Sequence, residues 1–230
     1  MFRLYDFLLG FFVGFLIVSN IVTIKVFELN IFGFKLVFDG GALIFPLTYI
    51  FADIFTEVYG YKKTRKIIWT GFIILLIFNV LLYITILLPP EKSWDLTIGQ
   101  ENFKKVLGIS PQIAIAGIVG YFWGEFTNSF VLAKMKIKSQ GKNLWNRIVL
   151  STVFGQLVDT TLFCTIAFFN VLDFKSMINY IITGYLYKVL VEIIFSPITM
   201  IVIAKIKKIE KMDYYDYNTN FNPFAVKIYD

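Results

Sequence analysis

Histidine is absent from the sequence, and cysteine occurs once, as Cys164 in an apolar run. The absence of histidine removes the commonest metal ligand and the side chain that most readily changes charge near neutral pH. A lone cysteine excludes disulfides within the chain, cysteine metal clusters and CxxC redox chemistry. The phosphate-binding pattern GxxxxGK[ST] does not occur either, so any ATPase would be a partner protein. We therefore expect no metal site, no cofactor and no enzymatic activity.

Charged residues are scarce at 17% of the chain, while hydrophobic residues make up 57% and aromatic residues 19%. This composition is too apolar for the surface of a soluble domain. A hydrocarbon core about 30 Å thick needs roughly 20 apolar residues per helix, and six stretches qualify. They run from Leu4 to Ile24, Gly41 to Tyr59, Ile67 to Leu88, Ser110 to Ala133, Ile148 to Asn170 and Tyr180 to Ala204. The sequence predicts an all-α polytopic membrane protein with six transmembrane helices, embedded in a lipid bilayer.

The segments outside these spans are mostly short. Residues 26–39 alternate in polarity around Gly33, which predicts a hairpin or an interfacial turn. Residues 1–208 are expected to form the transmembrane domain, and the first helix is expected to be retained because no small-residue cleavage site follows it. Residues 209–230 mix Tyr, Asn and Asp without helical period, so we expect a mobile cytoplasmic tail.

The basic residues are distributed unevenly between the two predicted sides. If both termini are cytoplasmic, fifteen of the 22 Lys and Arg residues lie on the inner side and six on the outer side, with Lys188 left inside the membrane. Lys and Arg accumulate in the cytoplasmic loops of membrane proteins. The count therefore favours an N-in, C-in orientation, and the net charge of +6 needs no nucleic-acid partner to explain it.

Apart from Asp6 at the start of the first span, five acids and one lysine fall inside the predicted spans, where a charged side chain costs on the order of 2.5 to 3.5 kcal/mol. Many of the polar residues are spaced three or four apart, which places the members of a pair on one helix face. Such faces avoid lipid by turning toward a common interior, so the sequence predicts a polar cavity there. The candidate binding residues are Asn20, Asp53, Glu57, Glu125, Asn128, Gln156 and Asp159, and the candidate supporting or gating residues are Lys25, Tyr49, Trp123, Lys188 and Glu192.

Some of these residues also have a structural explanation. Glu57 and Glu125 lie toward the predicted cytoplasmic ends, where pairing with nearby lysines would account for them. Lys188 and Glu192 would also serve as a bridge between helices. Tyr49 and Trp123 neighbour the acids, and aromatic faces beside carboxylates suit a flat heterocycle with N–H donors. The same rings would equally serve in packing.

Residues 45–62 read FPLTYIFADIFTEVYGYK, and this segment resembles the queuosine precursor transporter family, also described as vitamin uptake transporter-like. The resemblance covers about residues 10 to 208. It includes the positions Ser19, Asn20, Gly124, Glu125, Asn128, Ser129, Lys134, Ser151, Thr152, Gln156, Asp159, Lys188, Glu192 and Pro197.

The resemblance implies a multi-pass protein of the bacterial inner membrane that imports 7-deazaguanines for tRNA modification. Its substrate would be 7-cyano-7-deazaguanine, the aminomethyl analogue or queuine. A secondary carrier is the first hypothesis, in which two groups of helices rock around a ligand near the midplane. The alternative is the substrate-binding subunit of an ATP-driven uptake complex, because such subunits have similar size and apolar content. The sequence leaves both a monomer and a homodimer open.

Overall fold

A computed structural model of the chain describes residues 4–31, 34–108, 111–170 and 173–225. Within them, five helical stretches are long and apolar enough to cross a membrane. They are Leu4–Val22, Tyr61–Leu87, Gln100–Lys138, Leu144–Ala167 and Phe174–Glu210. The prediction of an all-α polytopic membrane protein is therefore confirmed.

The elements follow one another in a simple order. Helix α1 (Leu4–Val22) leads into strands β1 (Val26–Ile31) and β2 (Phe34–Asp39), which pair antiparallel from Val26 opposite Asp39 to Ile31 opposite Phe34. This is the hairpin predicted for residues 26–39. The remaining helices are α2 (Phe45–Ile54), α3 (Tyr61–Leu87), α4 (Lys92–Thr97), α5 (Gln100–Leu107), α6 (Pro111–Lys138), α7 (Leu144–Ala167) and α8 (Phe174–Glu210).

The predicted second span, Gly41 to Tyr59, is helical but is not one regular helix. A 3₁₀ turn (Gly40–Leu43) precedes α2, and a π-helix (Phe55–Tyr59) follows it directly. Pro46 lies in the first turn of α2, where its missing N–H costs no helical hydrogen bond. Gly60 then separates the π-helix from α3 with a φ of +83°, a conformation that glycine adopts without strain. The regular α-helical part of this segment, α2, is therefore only ten residues long.

Both described chain termini lie at the same end of the bundle. Tyr5 at the start of α1 packs against Tyr59 at the end of the π-helix, with ring centroids 5.1 Å apart. The backbone N–H of Tyr214, just after α8, donates to the Val58 carbonyl at 3.1 Å. We call this end the tail end. At the opposite end, Gly40 packs against Val22, and Gln112 near the start of α6 donates to the Ile166 carbonyl near the end of α7 at 2.7 Å.

The core of the bundle contains both apolar and polar layers. Phe12 of α1 and Phe55 of the π-helix are almost fully buried and meet edge to face, with centroids 6.0 Å apart. Apolar side chains on the outer faces of the long helices, such as Leu81 and Ile194, are exposed by more than half, as expected where the solvent is lipid. Buried charged and amide side chains occur between α2, α6, α7 and α8.

Candidate functional site

The centre of the bundle contains a buried carboxylate, Asp53 of α2, with no exposed surface. Its Oδ1 atom accepts a hydrogen bond from Asn128 Nδ2 of α6 at 3.0 Å. Two further acids, Glu125 of α6 and Glu192 of α8, are 4% and 1% exposed. Both lie close enough to Asp53 for the negative charges to interact. Helices α2, α6 and α8 thus each direct a carboxylate into the same region.

Helix α7 contributes an amide and an acid to this region. Gln156 is 2% exposed and shares a side-chain hydrogen bond with Tyr49 of α2. One turn later, Asp159 Oδ2 lies 2.5 Å from Lys188 Nζ of α8. We call the group formed by Tyr49, Asp53, Glu125, Asn128, Gln156, Asp159, Lys188 and Glu192 the central polar cluster. Sequence spacing predicted that these residues share an interior, and the structure brings them together there.

Several oxygen atoms of the cluster have no hydrogen-bond partner among the described residues. They are Asp53 Oδ2, Glu125 Oε2, Asn128 Oδ1, Gln156 Oε1 and both carboxylate oxygens of Glu192. A buried acceptor left without a partner costs roughly 1 to 3 kcal/mol. All of these atoms are acceptors, so the cluster has the chemistry to bind a ligand that presents several N–H donors.

Close packing of α6 on α7 determines where these side chains lie. A Cβ atom added at Gly124 would lie 2.6 Å from Asp159 Cβ, and one added at Gly155 would lie 2.8 Å from Asn128 Cβ. A Cβ at Gly120 would lie 2.6 Å from Asp159 Oδ1. Small residues four apart allow membrane helices to approach this closely. This glycine spacing is the signal in the sequence for the α6–α7 contact.

Glu57 lies outside the central cluster, at the tail end, where it is fully buried. Arg147 of α7 binds it through two hydrogen bonds, with Nη1 to Oε2 at 2.8 Å and Nη2 to Oε1 at 3.1 Å. Lys207 of α8 donates to Glu57 Oε1 at 2.6 Å, and Lys136 of α6 lies 3.5 Å from the same atom. The carboxylate therefore joins the π-helix to three long helices.

Asp213, just after α8, completes what we call the tail-end ion cluster: Glu57, Lys136, Arg147, Lys207 and Asp213. Its Oδ1 atom lies 2.5 Å from Lys136 Nζ and 2.8 Å from Lys207 Nζ. Partial burial acts to raise the pKa of Asp213, but the hydrogen bonds from the two lysines outweigh burial and lower it. The sequence analysis treated the bases of this cluster only as cytoplasmic charge.

Residues 211–225, for which the sequence predicted mobility, pack against the tail end. The backbone N–H of Tyr61 at the start of α3 donates to the Asp216 carboxylate at 3.0 and 3.1 Å. Arg65 Nη1 donates to the carbonyls of Asn220 and Asn222 at 2.7 and 2.8 Å. The Lys134 ammonium lies 3.9 Å from the centroid of the Phe221 ring. These contacts hold an irregular segment without a helix or strand.

Besides Glu57, three candidate residues lie away from the central polar cluster. Asn20 donates to the Leu16 carbonyl of its own helix at 2.8 Å. Lys25 is exposed in the loop before β1, where its carbonyl accepts a hydrogen bond from Gly40. Trp123 is 40% exposed and packs against the Phe224 ring of the tail, with centroids 6.1 Å apart.

Comparison with known proteins adds an independent observation. The sequence model of a family described as putative vitamin uptake transporter matches residues 39–202. A probable queuosine precursor transporter of Bacillus subtilis is 28% identical over 180 residues, covering 78% of this chain and 76% of that protein. A queuosine precursor transporter of Escherichia coli is 26% identical over 158 residues, covering 67% of each chain. A probable one from Haemophilus influenzae is 25% identical over 182 residues, covering 72% of this chain and 74% of that protein. No solved structure matches the chain.

Proposed function

The chain belongs to the putative vitamin uptake transporter family, and we propose on that basis that it imports queuosine precursors across the bacterial inner membrane. Its substrates would be 7-deazaguanine bases, such as 7-cyano-7-deazaguanine, 7-aminomethyl-7-deazaguanine or queuine. Three relatives bear the name queuosine precursor transporter or probable queuosine precursor transporter, which supports this substrate class. The role is transport rather than catalysis.

The single observation that carries the substrate proposal is the surplus of buried acceptors in the central polar cluster. A 7-deazaguanine presents a ring N–H and an adjacent amino group on one edge, and a carboxylate accepts such a pair of donors well. Asp53 Oδ2 and Glu125 Oε2 are acceptors without a partner among the described residues. We assign binding of the donor edge to Asp53 and Glu125, further polar contacts to Asn128, Gln156 and Asp159, and stacking to Tyr49.

The candidates outside the cluster receive other roles in this proposal. Glu57 acts at the tail end, where it joins three helices, rather than in direct contact with the base. Asn20 and Lys25 stabilise α1 and its junction with the hairpin. Trp123 anchors the outer face of α6 against the tail. Lys188 orients Asp159 through its 2.5 Å ion pair.

The arrangement of helix ends supports six membrane crossings with both termini in the cytoplasm. The short segment from Gly40 to Tyr59 begins beside the end of α1, at Val22, and ends beside the start of α1, at Tyr5. It therefore travels the length of α1 in the opposite direction and adds a sixth crossing to the five long helices. The tail end also bears the loops richest in Lys and Arg, which favours a cytoplasmic location.

A secondary carrier is the mechanism that we propose. Opening of the tail end toward the cytoplasm requires α6, α7 and α8 to separate around Glu57, because the tail-end ion cluster joins them. Closing of the same contacts isolates the central polar cluster from that side. Rocking of helix groups around a central ligand would then expose the base alternately to the two sides.

Uptake in cells tests the function. A bacterium that lacks its own deazaguanine synthesis and its own transporter should regain queuosine in its tRNA when it expresses this chain and receives the base. Asp53→Asn and Asp159→Asn should reduce uptake of the labelled base by more than tenfold, because each removes a buried charge from the cluster. Asp95→Asn, a change of an exposed acid in α4, serves as the matched control.

Two results would overturn parts of the proposal. Unchanged uptake in both cluster variants would remove the assigned binding site. If the purified chain were inactive in liposomes and gained uptake only with a co-purifying ATPase, the chain would be the binding subunit of an ATP-driven complex instead.

A further inference from the structure

Glu192 differs from the other acids of the central polar cluster. It is 1% exposed, and neither of its carboxylate oxygens has a hydrogen-bond partner among the described residues. Asp53, by contrast, accepts one hydrogen bond from Asn128. Asp159 forms an ion pair with Lys188. Within the described part of the chain, Glu192 is therefore the acid of the cluster whose two oxygens both lack a hydrogen-bond partner.

The ionisable groups around Glu192 lie on several helices. Asp53 and Tyr49 of α2 and Glu125 of α6 are close enough to interact electrostatically with it. Helix α7 contributes Asp159, whose negative charge is offset by Lys188 of α8. From the π-helix, Glu57 is bound by Arg147 and Lys207 at the tail end.

This environment makes an ionised Glu192 unfavourable. An isolated carboxylate is costly to remove from water, and neighbouring negative charges add to the cost. A proton on the carboxyl group removes the charge and provides an O–H donor for one of the neighbouring acceptors. 7-Cyano-7-deazaguanine is neutral and brings no compensating positive charge.

Helix α8 also has a feature that links Glu192 to the tail end. Pro197 lies inside the helix and cannot donate the usual hydrogen bond to the Ile193 carbonyl, so the helix is weakened there. The hydroxyl of Ser196 donates to that carbonyl instead, at 2.8 Å. Glu192 precedes this point, and Lys207 of the tail-end ion cluster follows it. Bending of α8 at Pro197 would couple the position of Glu192 to the tail-end ion cluster.

We propose that Glu192 carries the proton that drives import of the base, so that the chain is a proton-coupled carrier. A proton from the outer side forms an O–H bond with the Glu192 carboxylate when the base binds. That bond breaks, and the proton passes to cytoplasmic water, when the tail end opens and the base leaves. This inference rests on the proposed transport of deazaguanines and adds the ion that couples it.

Purified protein in liposomes provides the test. Counterflow, the exchange of labelled for unlabelled 7-cyano-7-deazaguanine at equal pH, reports transport without a gradient. Uptake with the outside about one pH unit more acidic reports coupling, because one proton per base supports at most about tenfold accumulation. The variant is Glu192→Gln, which cannot gain or lose the proton. The matched control is Glu101→Gln, a change of an exposed acid in α5.

We expect the wild-type chain and Glu101→Gln to accumulate the base several-fold in response to the gradient. Glu192→Gln should show slower but measurable counterflow and no accumulation. Equal accumulation by Glu192→Gln would overturn the proposal. Normal counterflow by the wild-type chain without accumulation in the pH gradient would also overturn the proposal. The proposed transport of the base would not be contradicted by that result.

A wild-type chain without counterflow would contradict the proposed function together with the coupling. If Glu192→Gln abolished counterflow, Glu192→Asp would decide the question, because it retains a carboxyl group. Accumulation by Glu192→Asp would support the proposal, and intact counterflow without accumulation would overturn it.

Discussion

At the scale of single residues, the tail-end ion cluster shows how a buried charge is stabilised in this protein. Glu57 is fully buried and receives hydrogen bonds from Arg147 and Lys207. Arg147 is itself 1% exposed and supplies two hydrogen bonds to Glu57, which also has Lys136 and Lys207 as cationic partners. Removal of one partner from a buried ion pair is strongly destabilising even where the intact pair contributes little.

Arg147→Gln should therefore destabilise the protein strongly. We expect a loss of about 3 to 5 kcal/mol, seen as a lower melting temperature of the purified protein in detergent. Lys142→Gln, a change of an exposed residue in the preceding loop, should leave the melting temperature unchanged. Equal melting temperatures for both variants would show that Arg147 does not stabilise the tail end.

The sequence predicted the residues of the central polar cluster well, because polar side chains are rare in apolar helices and therefore stand out. The sequence was a poorer guide to which other residues lie beside this cluster. Trp123 was chosen as a neighbour of Glu125, but residues two apart point to different faces of a helix, and Trp123 is exposed. Glu57 was expected to share a face with Asp53. The π-helix that begins at Phe55 breaks the spacing on which this expectation depended.

The sequence could not reveal the partners of Glu57. Arg147 and Lys207 lie 90 and 150 residues further along the chain, and their pairing with it depends on tertiary packing. In the sequence they are indistinguishable from the other bases near helix ends. The positive-inside rule counts such residues without showing which of them are buried.

At the scale of elements, the contact between α6 and α7 positions much of the central polar cluster. Gly124 and Gly155 lie where the two helices are closest, and side chains of the cluster lie directly over them. A methyl group added at either glycine would push the two helices apart. It would therefore move Asp159 and Asn128 and also weaken the packing. The geometry of this interface is thus part of the proposed binding site.

Two glycine substitutions on the same helix test this interpretation. Gly124→Ala would place a Cβ atom 2.6 Å from Asp159 Cβ, and such overpacking typically costs about 1 to 3 kcal/mol. We expect a lower melting temperature and weaker binding of the base. Gly117→Ala is the control because no heavy atom lies within 4 Å of its added Cβ. Weakened binding in both variants, or in neither, would contradict the role assigned to the close approach.

Element prediction was most complete where periodic hydrophobicity was long. The long helices and the hairpin were predicted from pattern alone. The tail was not predicted to pack, because its contacts are hydrogen bonds from Arg65 and Trp69 to backbone carbonyls. Such bonds impose no repeat on the tail sequence. The short helices α4 and α5 also lie in a segment that has no long hydrophobic repeat.

At the scale of the whole molecule, we propose different roles in transport for the two groups of buried charges. The central polar cluster has unsatisfied acceptors and suits a ligand, whereas in the tail-end ion cluster the carboxylates of Glu57 and Asp213 have cationic partners. The first group therefore favours binding, and the second favours closure of one side.

Equilibrium binding to the purified chain tests the central claim most directly. We expect labelled 7-cyano-7-deazaguanine to bind and to be displaced by unlabelled queuine, but not by a 7-deazaadenine, which lacks the ring N–H and amino pair. Gln156→Ala should raise the dissociation constant about tenfold, because it removes one buried hydrogen bond to the base. Asn79→Ala should not, because Asn79 bonds to Leu75 of its own helix. Displacement by the 7-deazaadenine, or undiminished binding in Gln156→Ala, would contradict a central site built to accept a guanine-like donor edge.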